Sequence, residues 1–170
     1  AAGAWIQSTL VYRVVSSGPL IRLIARSLQH LTAADWRAIA IYLHTGDLPA
    51  SVTFNGDIAV DTEAMGLNNL RDRLCVIQLS DGGGDEHLVQ FLPGEFNAPN
   101  LKKLMEDPAR VKLFHFARFD VAIILHYLGI HVAPIYCTKI ASRLTRTFTD
   151  RHGFKDLCRD LIGVEVSKQQ

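Results

Sequence analysis

The sequence is short of cysteine, of net charge and of any long apolar run, and each shortage narrows what the chain can be. Three cysteines, Cys75, Cys137 and Cys158, are an odd number without CxxC spacing, each inside an apolar or periodic segment. That pattern speaks for reduced core residues of a cytoplasmic protein rather than for a disulfide framework. No stretch is apolar enough to span a bilayer. The most lipophilic region, near the N-terminus, is broken by Arg13, Gly18-Pro19, Arg22 and Arg26, which argues against a membrane span and against a secretory signal. Internal repeats and low-complexity segments are also missing. A net charge of +1 hides an uneven distribution. Residues 51–100 carry two basic side chains against eight acidic ones, and residues 101–170 carry twelve against seven. The middle attracts cations and the last third anions, although solvated faces give the same pattern when charges are scattered.

What is present reads as one ordinary globular domain, with 48% hydrophobic and 21% charged residues in 170. From residue 57 the pattern alternates. Strands are expected over 58–63, 73–80 and 86–91, with Asp81-Gly82-Gly83-Gly84 turning between the last two, so the three form an antiparallel meander. A helix begins near Pro99 and ends at Asp107-Pro108, a strand covers 111–115, and a helix runs from Phe119 to Leu128, where Gly129 closes it. A short strand over 135–137, a helix capped by Thr138 and a last helix from Gly153 to Ile162 complete the chain. The result is an α/β domain with a mixed five-stranded sheet. Upstream, an amphipathic helix is expected after Ser17-Gly18-Pro19. A second opens at Thr32, packing on the core or meeting a membrane surface or partner.

Asp61-Thr62-Glu63 closes the first strand of the meander. On a strand, residues i and i+2 share a face, so two carboxylates point the same way, an arrangement a hard divalent cation relieves. Acids also end strands for reasons of solvation alone. Asp120 opens the helix after the fourth strand, where it either complements the helix dipole or adds a third carboxylate to the pair.

The blocks 58–67, 72–80, 114–120, 137–144 and 151–157 together resemble successive blocks of the bacterial ribonuclease D family, within the DEDD exonucleases of ribonuclease H-like fold. The resemblance begins near Tyr42, leaving residues 1–41 as a helical extension without a family counterpart and 42–170 as the exonuclease domain. It implies a sheet with helices on both faces and a 3′ to 5′ exoribonuclease. Such an enzyme trims single-stranded RNA ends, transfer RNA precursors among them, with two divalent ions, Mg²⁺ or Mn²⁺. By resemblance Asp61, Glu63 and Asp120 are catalytic metal ligands. Met65, Gly66 and Leu67 lie against the terminal nucleotide, with Thr62 and Phe119 beside them. Leu67 serves as a base platform, or merely packs a turn. His115 bonds near the scissile phosphate, or is a buried histidine held by backbone. Lys139, Arg143 and Arg146, at i, i+4 and i+7, offer phosphate-binding cations with Arg151 and Lys155 nearby, or simply a solvated face.

One family block has no match. The C-terminal Tyr-x-x-x-Asp, which supplies the fourth carboxylate and a water-orienting tyrosine, is not found before Gln170, and His152 with Asp156 is a poor substitute by spacing. The domain is therefore expected to be C-terminally incomplete. Two other readings stay open: a nucleic-acid-binding module that keeps the fold without the chemistry, and an exonuclease directed at DNA. Oligomeric state is not legible.

Overall fold

The computed structural model describes residues 40–166 apart from Gly84. The two helices expected over residues 17–35 lie outside them. Six strands and four helices follow in the order β1 (Ala40–Thr45), β2 (Ile58–Ala64), β3 (Leu74–Ser80), β4 (Asp85–Gln90), α1 (Pro99–Met105), β5 (Lys112–Phe114), α2 (Arg118–Leu128), β6 (Ile135–Cys137), α3 (Thr138–Thr145) and α4 (Phe154–Ile162). They build one mixed sheet in the order β1-β4-β3-β2-β5-β6. The expected meander is β2-β3-β4, antiparallel throughout, and β5 and β6 extend it in parallel on the other side of β2.

The sheet therefore has six strands, not five. The extra strand, β1, pairs in parallel with β4 at the edge, from Ala40↔Asp85 to Thr45↔Gln90. Its Ile41, Tyr42 and Leu43 are all exposed, so the strand shows no clean alternation between a buried and a wet face, which is the signal a sequence reading depends on. It begins two residues before the boundary placed at Tyr42.

The strands legible in the sequence are short apolar runs that are buried along most of their length. Ile58 and Val60 of β2, Ile77 and Leu79 of β3 and Val89 of β4 pack into one cluster with Leu101 and Met105 of α1 and Ile123 and Ile124 of α2. Gly129 ends α2 at φ 61°, a left-handed conformation open to glycine at little cost, and its N–H closes on Leu125 O. Of the cysteines, only Cys158 is fully buried, and burial pushes its thiol up to about 12. Cys75 and Cys137 are half-buried. All three are free, and no helix among the described residues is long and apolar enough to cross a membrane.

Two helix starts use other residues than the sequence suggests. Thr138 does not cap α3; its hydroxyl reaches back to Phe114 O at 3.1 Å. Ala98 at the start of α1 has no side chain to offer, and Asp47 caps that helix from a distant loop. Its two carboxylate oxygens accept the N–H groups of Asn100 and Leu101, each at 2.9 Å, while Asn100 Nδ2 donates to Leu48 O. A carboxylate there satisfies helix donors and meets the positive end of the dipole. Asp47→Ala is expected to cost about 1–2 kcal/mol of stability, measured by urea unfolding, with an unchanged m-value.

Candidate active site

β2 pairs with β5 only at Ile58↔Lys112 and Ala59↔Leu113, although β2 runs on to Ala64. The two neighbours part there, and a crevice opens beyond the strand ends. Between Glu63 and Ala64 the register against β3 shifts, a bulge that re-aims the end of the strand. On the far wall the chain leaves β5 through His115 and Phe116. Phe116 has φ 68°, a left-handed conformation that bulky L residues rarely take, and its turn swings α2 back over β2.

The cleft so formed has a volume of about 560 Å³ and is lined by Asp61, Thr62, Glu63, Ala64, Gly66, Leu67, His115, Phe116, Phe119 and Asp120. All the acidic residues singled out from the sequence meet here, with Thr62, Gly66, Leu67, His115 and Phe119. Met65 lies in the same loop, exposed, but is not part of the lining. Lys139 and Arg143 line a second hollow of about 360 Å³ with Asp150, His152 and Gly153. Lys139 joins the two, because its Nζ lies 4.2 Å from the centre of the Phe116 ring.

Asp120 is 6% exposed. Its Oδ1 accepts the Thr62 N–H at 3.2 Å and the Thr62 hydroxyl at 2.7 Å. Burial pushes its pKa up to about 6 against the pull of the Thr62 hydrogen bonds, and the Glu63 charge adds to the rise. Glu63 is also raised, by partial desolvation at the cleft mouth. Among the described residues no three His, Cys, Asp or Glu side chains converge into a finished ligand set. The donors nonetheless suit a hard divalent ion. They are carboxylates on one cleft, two of them with pKa values raised by burial, and both Thr62 bonds to Asp120 fall on Oδ1.

The loop carrying Leu67 is folded around Asp72. That carboxylate accepts the Asn68 N–H at 3.0 Å and both arms of the Arg71 guanidinium at 2.6 and 2.9 Å, which hold it down to about 2, Arg71 contributing most. It also presses on Gly66, where any Cβ would collide with it. The loop leaves Leu67 89% exposed beside the carboxylates.

His115 is fixed through Thr138. Its Nδ1 lies 2.9 Å from Thr138 Oγ1, and its ring packs against Phe154 with centroids 5.2 Å apart. Burial, with Lys139 nearby, pushes its pKa down to about 4. The expected row of three cations is only partly present. α3 ends at Thr145, and Arg146 turns away to Asp160 Oδ2 at 2.7 Å and Arg151 O at 3.1 Å. Asp156 accepts from Arg159 at 3.1 Å and His152 meets Ser142 Oγ at 2.9 Å, so those two do not act as a pair in the cleft. The sequence reading missed Phe116. A positive φ carries no sequence signature in a residue other than glycine or asparagine, and the cation over the ring comes from a different helix.

Residues 46–170 match the model of the 3′-5′ exonuclease family. Ribonuclease D of Gluconacetobacter diazotrophicus is 34% identical over 113 residues, a match that takes in 65% of this chain but only 28% of that protein's length. Among solved structures, Brucella melitensis NrnC bound to pGG is 49% identical with a TM-score of 0.73, covering 78% of this chain and 65% of that one. The same protein with bound Mg²⁺ is 48% identical with a TM-score of 0.71, covering 77% and 66%.

The raised pKa of Asp120 has a measurable consequence in the metal-free chain. Folding favours the protonated form, so the penalty is absent below the ordinary carboxylate pKa of 3.8, grows as pH rises and is complete above about 6. Asp120→Asn keeps an oxygen for both Thr62 donors and removes the charge. With EDTA present, it is expected to stabilise the chain by up to about 3 kcal/mol at pH 7.5 and by almost nothing at pH 4, read from denaturation at the two pH values.

Proposed function

The chain belongs to the 3′-5′ exonuclease family, and on that footing we propose that it is a ribonuclease D-like exoribonuclease, removing nucleotides from the 3′ end of single-stranded RNA with two divalent ions, Mg²⁺ or Mn²⁺. The observation that carries the reading is the cleft itself. Asp61, Glu63 and Asp120 share it with an exposed Leu67 and an exposed Phe116, and a cationic hollow adjoins it through Lys139.

Asp61, Glu63 and Asp120 are the residues to hold the ions, which when bound would supply an activated water and charge stabilisation at the leaving 3′ oxygen. Everything else is positioning. Leu67 and Phe119 give the terminal base an apolar surface, and the Asp72 latch keeps the Leu67 loop in place. Phe116 offers a ring for the next base, since base stacking on an aromatic face is tolerant of sequence. Lys139 and Arg143 then meet the phosphate that follows. This order of surfaces suits a very short strand as well as a long one, and the likeness to a protein bound to pGG supports including very short strands among the substrates. RNA 3′ processing in the cytoplasm, transfer RNA precursors included, is the proposed setting.

Digestion of a 5′-labelled single-stranded RNA with Mg²⁺ or Mn²⁺ tests the reading. The expected result is a ladder shortening from the 3′ end, slowed more than about 100-fold in Asp61→Ala, since loss of a ligand exceeds the effect of outer-shell changes. Salt-sensitive binding without turnover would instead favour the non-catalytic module. A ladder unaffected by Asp61→Ala would refute the site. Within the same assay Phe116→Gly, which relieves the backbone strain while removing the ring, is expected to raise KM by roughly tenfold and to change kcat little.

A further inference from the structure

We infer that His115 recognises a ribose 2′-hydroxyl through an acceptor Nε2, so that the imidazole gives the cleft its preference for RNA over DNA. This rests on the exoribonuclease reading and names the group that would make it selective.

The inference follows from counting protons around Thr138. Its hydroxyl carries one hydrogen and lies 3.1 Å from Phe114 O and 2.9 Å from His115 Nδ1. The Phe114 carbonyl can only accept, so the hydroxyl donates there. Oγ1 is then an acceptor toward the imidazole, and Nδ1 must carry the ring proton. The opposite arrangement would place two acceptors, Thr138 Oγ1 and Phe114 O, against each other in a buried position. A neutral imidazole with its proton on Nδ1 presents a lone pair at Nε2. Burial and the Lys139 charge keep the ring neutral. Among the described residues no protein group bonds Nε2, and His115 lines the carboxylate cleft.

An acceptor nitrogen cannot serve the phosphate contact expected from the sequence, because phosphate oxygens are acceptors too. It calls for a donor. At an RNA 3′ end beside the scissile bond the donors on the sugar are the 2′-hydroxyls and the terminal 3′-hydroxyl. Only the 2′-hydroxyl distinguishes RNA from DNA. Thr138 is then a positioning residue, acting on substrate only through the tautomer it imposes.

Fluorescence anisotropy with a 5′-fluorescein hexaribonucleotide tests this, with Ca²⁺ in place of Mg²⁺ to hold off hydrolysis. The same strand is compared with 2′-deoxy or 2′-fluoro sugars, which cannot donate, at the last or the penultimate nucleotide. The expected result is about tenfold weaker binding of both substituted strands at one of those positions, the effect of one lost hydrogen bond. His115→Phe, which keeps a ring, should bind all the strands alike at the weaker level. Thr138→Val leaves the Nδ1 proton without an acceptor and allows it to move to Nε2; it should reduce discrimination at least threefold with His115 still in place. Equal binding of ribose and deoxyribose strands by the unaltered chain, or discrimination that survives in His115→Phe, overturns the inference alone. Failure of the unaltered chain to bind any RNA overturns the exoribonuclease reading and this inference with it.

Discussion

Thr62 grips Asp120 twice, through its N–H and through its hydroxyl, and the arrangement of the cleft depends on that grip. Thr62 stands between the two acids of β2 and, by the alternation of the strand, faces the side opposite to theirs. Its partner is the first acidic residue of α2. The strand that presents Asp61 and Glu63 is thereby tied to the helix that presents Asp120 by the residue in the middle of the acidic pair. Replacing the Thr62 hydroxyl by a methyl would leave the sequence pattern Asp-x-Glu intact and remove the stronger of the two ties.

Electrostatically the site works against the fold. Asp120 is buried without a cationic partner in contact among the described residues, with Glu63 adding a like charge nearby, and Glu63 is itself raised by desolvation, so both resist ionisation. Ion pairs do exist elsewhere in the molecule, at Asp72 with Arg71, Glu106 with Lys102 and Asp160 with Arg146, and in each the carboxyl pKa is lowered. The chain contains enough cations to neutralise acids where stability asks for it. At Asp120 and Glu63 no Lys or Arg among the described residues takes that role, and burial raises both, which suits them to an ion supplied from solution.

Much of this was readable from the residues alone, and what was not has common causes. Strands buried along most of their length, such as Ile58 to Glu63 and Leu74 to Ser80, announce themselves as short apolar runs bounded by turn residues, and Gly129 and Gly163 mark helix ends because both need positive φ. The acids of the cleft were visible as a spacing plus a helix start. β1 was not, since an edge strand exposing Ile41, Tyr42 and Leu43 loses the alternation. Distant partners were equally hidden. Asp47 capping α1 spans more than fifty residues, Arg146 leaves its helix to meet Asp160, and Thr138 spends its hydroxyl on β5 rather than on its own helix.

The backbone of Phe116 carries the argument furthest from sequence toward function. A left-handed conformation in a bulky residue persists only where the surroundings over-determine it, and three things do so here. β5 must end at Phe114 if Asp120 is to reach Thr62. His115 must turn inward to meet Thr138. The Phe116 ring is held from outside by Lys139. A glycine at 116 would make the same turn with less strain, so the turn by itself does not explain a phenylalanine. The ring does not answer to the core either, being 46% exposed at the cleft. An aromatic ring kept in solvent beside three carboxylates, at a cost in backbone strain and with a cation over one face, has the properties of a surface built for a flat ligand whose neighbour is an anion. A nucleobase attached to its phosphate is such a ligand.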